Sequence, residues 1–457
     1  MKHLFLCTWL LIIAIGVADQ RLGRPEDRPY APRSVPHVST HFSITGQRDL
    51  VSMQFHRQVR RAAARAGTLA QRPTEIWGVP LMPPRGRDGA HAVQRTVLAA
   101  LGTSGTDDAS WISTAVDEAS PGDVVHVPAG CFEIKSMIAL PEGISLVGAG
   151  AARTILYRRA SLSEDTVVPL ILMVGPDAPG ASRVSGIAFI SATFPGDVAQ
   201  DAGIEIHDGI DFRIDSCYFQ SFGMSGVLVT GDSRGVVDHC VFVDNYKPDI
   251  GNVGYGVAVL HDNVWDEQMN LGTAEATFIE DCIFAGCRHA ITSNAGAHYV
   301  FRHNLVEEGV VSHPVDAHGP GYGSERGTRC VEIYRNTIRD PRHGPDTGEV
   351  GQRPTDIAIL IRGGGGVIFD NIIHGYVEPI QCVLEFGTPE ELRGSYPWPD
   401  QVHDLWIWDN RDEEGICVPN VNGYDKSREY IVLDRDYFSN AKADYVPFPY
   451  PHPLTQR

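Results

Sequence analysis

The sequence predicts an all-β fold of the solenoid kind, a stack of coils built from short strands, and three observations carry that prediction. Seven short apolar runs, FRIDSCYF, GVVDHCVF, TFIEDCIF, VFRHNLV, EIYRNTI, VIFDNII and WIWDNRD, align on one small or polar residue each: Cys217, Cys240, Cys282, Asn304, Asn336, Asn371 and Asn410. A second run precedes each of these: GIEIH (203–207), GVLVT (226–230), GVAVL (256–260), HAITS (289–293), PVDAH (314–318), DIAIL (356–360) and QCVLE (381–385). Fourteen residues separate Gly203 from Cys217 and Gly226 from Cys240, and fifteen separate His289 from Asn304 and Asp356 from Asn371, a regularity that requires real repetition. Third, 47 Gly and 30 Pro in 457 residues are too many turn formers for a helical bundle. Repeats with a period in the low twenties bury their apolar faces by stacking on neighbours.

Taken in order, residues 1–18 read as a signal peptide: Lys2 and His3, the apolar stretch Leu4 to Val17, and small residues at Gly16 and Ala18. A secreted or periplasmic protein is expected. The apolar run is too short for a membrane span, so no membrane anchor is expected. Residues 19–104 read as a flexible leader and linker with one short helix at 53–66. The solenoid occupies 105–415 and opens on a short capping helix within 105–120. The tail 416–457, with its PFPYPHP segment, is expected to cap the far end, because an open coil would expose unpaired strand edges.

Within the solenoid, two inward columns are legible. Ile214, Val237, Ile279, Phe301, Ile333, Ile368 and Ile407 lie three residues before the aligned positions; Phe219, Phe242, Phe284, Val306, Ile338 and Ile373 lie two after the first six. The asparagines between them read as a ladder of buried amides that bond one another and the turn backbone. Of nine cysteines, eight remain after the signal peptide, mostly inside apolar β patterns where a thiol serves as a small hydrophobe; export leaves disulfides open. With Lys+Arg 38 against Asp+Glu 57, the chain carries −19, or −20 once Lys2 is removed, so it is not a general nucleic-acid binder.

The segment GTDDASWISTAVDEASPGDVVHVPAGCFEIKSMIALPEGISLVGAGAARTILYR (105–158) resembles the N-terminal coils of pectate-lyase-like (pectin lyase superfamily) right-handed parallel β-helix proteins, in which a capping helix precedes the equivalents of GDVVHVPAG and ISLVGAG. With the later coils the resemblance spans 105–415. It implies the fold. Polysaccharide lyases, glycoside hydrolases, uronan epimerases and phage tail proteins share that fold, so the reaction has to be argued from the site.

The outward positions of the second run supply a site. From coil to coil, one column reads Glu205, Leu228, Ala258, Ile291, Asp316, Ala358, Val383, and the other His207, Thr230, Leu260, Ser293, His318, Leu360, Glu385. Asp316 and His318 interrupt a largely apolar face two residues apart, just before the inserted loop GPGYGSERG (319–327), which contains Tyr322 and Arg326. Other insertions, at 263–274 and 388–402, share that corner and form the walls of a groove. His298, His313, Arg326 and Arg329 crowd the same coils and, with Tyr322, are expected to bind substrate. A His beside an Asp can be held in one tautomer and move a proton near neutral pH. An Arg can hold a uronate carboxylate, making the neighbouring C–H more acidic. The same pair also reads as a surface ion pair or a turn contact.

A second outward cluster is Arg302 with Glu332 and Tyr334, for which stacking sets Arg302 beside Tyr334; it reads either as part of the catalytic group or as a surface network. Phe369, Trp406 and Trp408 further along form a sugar platform or are covered by the C-terminal segment. Asp316-Ala317-His318 resembles the Asp–Pro–His of mannuronan C5-epimerases with Ala for Pro. Gly231-Asp-Ser233-Arg-Gly235 matches a nucleophile elbow but falls in a turn between strands. Neither HExxH nor paired CxxC occurs, so zinc has no case; calcium, with oxygen ligands from acidic loops, stays open. The function expected is a polysaccharide lyase that cleaves a uronic-acid-containing polymer by β-elimination, with His318, Asp316, Arg302, Tyr334 and Glu332 as its catalytic set. A glycoside hydrolase, an epimerase and a glycan-binding surface β-helix are the rivals.

Overall fold

A computed structural model describes residues 95–96 and 107–456, apart from 159–167, 176–180, 192–200, 247–252, 267, 308–311, 321–323, 341–356, 386–399 and 422–426. The signal peptide and nearly all of the leader lie outside the described residues, as do Tyr322 and most of the 388–402 insertion. The described residues form three sheets, of 12, 10 and 9 strands, paired in parallel throughout. Each coil contributes one strand to the 10-stranded sheet, then one to the 12-stranded, then one to the 9-stranded, as in Ser225–Thr230, Arg234–Asp238 and Val241–Val243. This is a right-handed parallel β-helix. The solenoid starts earlier than expected: Arg95–Thr96, read as linker, pair with the strand Val124–Val127. The helix Ala109–Asp117 follows and closes the first coil with Ala109, Ile112 and Val116. No described helix is long and apolar enough to cross a membrane.

Both inward columns stand in register, Ile214 through Ile407 on the 12-stranded sheet and Phe219 through Ile373 on the 9-stranded sheet. The rings of Phe189, Phe219, Phe242 and Phe284 stack with centroids 5.1, 4.9 and 4.8 Å apart. Glycine makes room for that stack: a Cβ on Gly226 would lie 2.7 Å from the Phe242 ring, and one on Gly256 2.5 Å from Phe284. Where the phenylalanine column ends, Ala290 takes the glycine position.

Between the 12- and 9-stranded sheets the chain turns through one left-handed residue per coil: Ser216, His239, Asp281, His303, Arg335, Asp370 and Asp409, all with φ between 52° and 56°. The aligned residue follows immediately. The Asn336 amide accepts from Asn304 N at 3.0 Å and donates to Phe301 O at 2.8 Å and to Asn371 Oδ1 at 2.9 Å; Asn371 repeats the pattern, and Asn410 ends it by donating to Ile368 O and Trp408 O. The thiols do the same work in earlier coils: Cys282 Sγ accepts from Cys240 N at 3.4 Å and lies 3.6 Å from the Val237 carbonyl one coil back. All eight cysteines outside the signal segment are free thiols.

The tail departs from expectation. It adds the strand Tyr437–Phe438 at the end of the 12-stranded sheet, then turns back along that sheet's outer face instead of stopping as a cap. Tyr445 meets the Phe369 and Trp408 rings edge-on, Phe448 and His452 pack on Phe278, and Leu454 O receives Arg213 Nη1. Phe369 and Trp408 stack at 4.4 Å beneath it, so the aromatic row is covered.

Because thiol and amide serve one role in the ladder, Asn336→Cys should be tolerated better than Asn336→Ala. The alanine strands several buried polar groups and is expected to cost roughly 2–4 kcal/mol, read as a fall in the denaturation midpoint with the cysteine variant between it and wild type.

Candidate functional site

The structure corrects the outward columns at two strands. His289–Asn294 pairs with Tyr255–Leu260 so that Val257 faces Ile291 and Ala258 faces Thr292. The first column therefore runs Ala258, Thr292, Asp316, Leu360, Gln381. Ile291, expected outside, is in the core, and Ser293 points to the Thr328 hydroxyl at 2.8 Å. The backbone has an irregularity here, since both Ala290 N and Ile291 N bond to Pro314 O, which leaves His289 on the outer side and Ala290 and Ile291 inside. In the next coil, pairing is displaced by two residues from expectation: Ala358 is interior, Leu360 faces Asp316, and Arg362, whose amide bonds Ala317 O, comes up beside His318.

Arg362 is the residue the sequence reading missed, and the site is built around it. Its guanidinium forks onto Asp316, with Nε to Oδ1 at 3.0 Å and Nη2 to Oδ2 at 2.5 Å, and Nη1 pairs with Glu385. Nη2 also lies 2.7 Å from His318 Nε2. His318 Nε2 is 3.1 Å from Asp316 Oδ2 and its Nδ1 is 3.6 Å from Glu385 Oε1. Glu385 Oε2 accepts from Gly319 N at 2.6 Å, fixing the first residue of the corner loop. Asp316 is fully buried, whereas the His318 and Arg362 side chains retain 13% exposure and form the outer surface of the group.

The charges set one another. Burial alone would raise Asp316, but His318 and Arg362 override it and hold the carboxyl well below the usual range. Burial opposes a charge on His318, yet Asp316, with help from Glu385, carries its pKa above the ordinary value. The group can thus hold an imidazole in place and favour its protonated form. It has no protonated carboxylic acid at Asp316.

The other expected residues divide into two groups. Arg326 and Arg329 both lie against Trp265, with their guanidinium carbons 4.3 and 5.1 Å from its ring centroid, at the corner that leads from His318 to the 12-stranded sheet. Arg326 Nε pairs with Asp400 Oδ1 at 2.9 Å, and Arg329 Nε donates to Asp266 O. His298 is buried 3.5 Å from Glu332; burial opposes its charge, but Cys330 and Glu332 raise its pKa to about 10. His313 gives its carbonyl to His289 Nδ1 at 2.6 Å, and burial lowers its own imidazole to about 4.

Arg302, Glu332 and Tyr334 do not join His318. They face outward on the 12-stranded sheet, and Arg302 does stand beside Tyr334, donating to its hydroxyl at 2.9 Å. The tail covers them: Arg302 also bonds Glu280, Phe448 O and Pro449 O, and Glu332 accepts from Gly272 N and Tyr445 Oη. Arg302 and Glu332 show no exposure and Tyr334 1%, so this cluster anchors the tail and is removed from the catalytic set. Among the described residues no group of His, Cys, Asp and Glu is arranged to hold a metal ion.

Residues 96–315 match the family described as rhamnogalacturonase A/epimerase, pectate lyase-like. Over those residues the chain is similar to that family, and the described residues fold as a parallel β-helix. Similar solved structures include an alginate lyase from Paenibacillus sp. str. FPU-7 (11% identity, 70% of this chain and 98% of that one, TM-score 0.43). They also include a mannuronic-acid-specific family 6 polysaccharide lyase from human gut microbiota (17%, 69% and 76%, TM-score 0.46) and the A-module of an Azotobacter vinelandii mannuronan C-5 epimerase (13%, 73% and 94%, TM-score 0.37). No curated protein matches the sequence.

Removing the central cation should uncover its load. Arg362→Met leaves Asp316 and Glu385 without their shared partner and is expected to cost on the order of 3–5 kcal/mol; adding Asp316→Asn should recover part of the loss, and a double-mutant cycle of denaturation midpoints checks the coupling.

Proposed function

We propose that the protein is an exported polysaccharide-acting enzyme in which His318 takes a proton from the sugar carbon next to a uronate carboxylate, a polysaccharide lyase working by β-elimination. One observation carries the reading: Asp316 and Glu385 are both tied to Arg362 and to His318. A hydrolase needs one carboxyl group that is protonated and free to donate to the leaving oxygen. Asp316 is held ionised, and Glu385 spends its oxygens on Arg362 and Gly319. What remains movable is the proton on His318, as proton abstraction requires.

In this scheme Asp316 orients His318, Arg362 keeps Asp316 charged, and the corner cations Arg326 and Arg329 draw the acidic sugar toward a protein whose net charge would otherwise repel it. Epimerisation shares the first step and differs only in returning the proton to the opposite face, so it is the nearest rival. The similarity of residues 96–315 to the rhamnogalacturonase A/epimerase family supports it as a second reading.

Incubation with a panel of acidic polysaccharides, with and without calcium, should raise absorbance near about 235 nm, the band of an unsaturated uronate, and His318→Ala should lower the rate by roughly 10²–10⁴-fold. Because the imidazole accepts a proton only when neutral and its pKa is raised, the rate should climb with pH through a midpoint above about 6.5. New reducing ends without absorbance would move the assignment to hydrolysis. Altered sugar configuration without chain cleavage would move it to epimerisation.

A further inference from the structure

The outer face of the 10-stranded sheet carries a second polar group that meets the Asp316 cluster from behind. Tyr255 and His289 are partners in neighbouring coils, and their rings stack with centroids 5.5 Å apart. His289 Nε2 lies 3.2 Å from Asp316 Oδ2, which makes the two groups contiguous. Arg288 stands at the edge of this row, at the entry end of its strand, whereas the corner loops follow the exit end. Its backbone N–H is anchored to Gly254 O at 2.9 Å. Its guanidinium carbon lies 5.7 Å from the Tyr255 ring centroid, with Nη1 3.0 Å from Tyr255 Oη, so the cation sits over the face that also carries His318.

The donors of this pair are not used up. A guanidinium can only donate, so Tyr255 Oη is the acceptor in the bond to Arg288 and the phenol's own hydrogen points elsewhere. Among the described residues no acceptor takes that hydrogen, and no carboxylate pairs with Arg288, which is half-buried. The other charges nearby answer one another: Asp316 and Glu385 are tied to Arg362 and His318, and Arg326 to Asp400. Burial holds His289 well below its ordinary value and lowers His313 to about 4, so both rings are neutral near physiological pH. Burial also raises Tyr255, with Arg288 opposing, so the hydroxyl keeps its hydrogen. A planar charged fork beside a neutral O–H donor is the chemistry that receives a carboxylate.

We propose that Arg288 and Tyr255 form a binding subsite for the carboxylate of an acidic sugar unit, set apart along the solenoid from the unit at His318. Tyr255 lies two coils before Asp316, about 10 Å at the stacking distance. A single oligosaccharide lying along the sheet spans that interval, so the subsite acts on a neighbouring unit of the chain being processed. Arg288 is a binding residue in this arrangement and takes no part in bond breaking. The choice of an acidic glycan rests on the polysaccharide-lyase reading above; the contact itself requires no elimination.

The test measures binding by calorimetry on the full chain carrying His318→Ala, which removes turnover. The probes are oligomers of galacturonate and of mannuronate, the same oligomers with their carboxyl groups reduced, and a sulfated galactan oligomer. An oligouronide should bind, and adding Arg288→Met should weaken it roughly 10- to 100-fold. Tyr255→Phe keeps the ring and removes the O–H, so it should weaken binding several-fold. Arg288→Lys keeps the charge without the fork and should recover only part of the affinity, which tests the site even where the methionine variant folds poorly. Carboxyl-reduced oligomers should bind weakly and alike in every variant. With His318 intact, Arg288→Met should raise KM by a similar factor while kcat changes little. No oligouronide bound, an affinity that neither Arg288 variant alters, or an equal loss for the carboxyl-reduced oligomers overturns the proposal. Tighter binding of the sulfated galactan than of either oligouronide overturns its carboxylate assignment. Arg288-dependent binding with no unsaturated product from the His318 chain would instead sink the lyase reading and leave the subsite standing.

Discussion

Everything in this molecule depends on coils stacking in fixed register, roughly 4.8 Å apart. In such a stack the neighbour of a side chain is the equivalent residue one coil away, so a column has to be compatible with itself. Phenylalanine satisfies that by face-to-face stacking, asparagine by donating and accepting along the axis, and cysteine by a weaker version of the same pattern. A charge can repeat only with an opposite charge set beside it, as Arg213 is beside Asp215 and Asp238. Where Asp316 enters the face, the coils on either side answer with His289 and Arg362.

The same constraint explains what the sequence disclosed and what it hid. The ladder and both inward columns were legible because each coil places an identical chemical type at the same offset from a left-handed turn. The capping helix and the first coils were legible from local pattern. The outward columns were read by aligning the first residue of each second run, and that rule fails where the marker changes. Gly203, Gly226 and Gly256 sit under the phenylalanine rings, and the residue that inherits their place is Ala290, so an alignment on His289 is one residue out and exchanges inside for outside. At Asp356 the same rule is two residues out; Leu360 keeps its outward place, but Ala358 goes inside and Arg362 is moved away from His318. Half of the candidate site was therefore visible as an Asp–His pair, and its organising cation was not.

The second expected cluster failed for a different reason. Nothing local to Arg302, Glu332 or Tyr334 says that a segment more than a hundred residues later will lie across them. Their mixture of charge and aromatic surface is what a substrate face would show, and it is equally what is needed to bind an extended peptide, whose carbonyls take up the guanidinium and whose N–H and O–H groups satisfy the carboxylates. Sequence reading identifies such a surface more readily than its occupant.

That occupant has a length. Between Tyr445, over the Trp408 coil, and Leu454, beside the Arg213 coil, nine residues cover six coil steps. Six steps amount to ~29 Å at the stacking distance, and nine residues extend to at most ~32 Å. The segment bends at Tyr450 and Pro451 and ends in the short helix Pro453–Gln456, and its successive contacts with Glu332, Glu280 and Arg213 make it a gauge of the stack beneath it. Solenoids elsewhere can gain or lose a repeat with little penalty because each coil answers only to its neighbours; in this chain an added or deleted coil would carry the strap's contacts out of register, so the number of coils it crosses is tied to the spacing of residues at its far end.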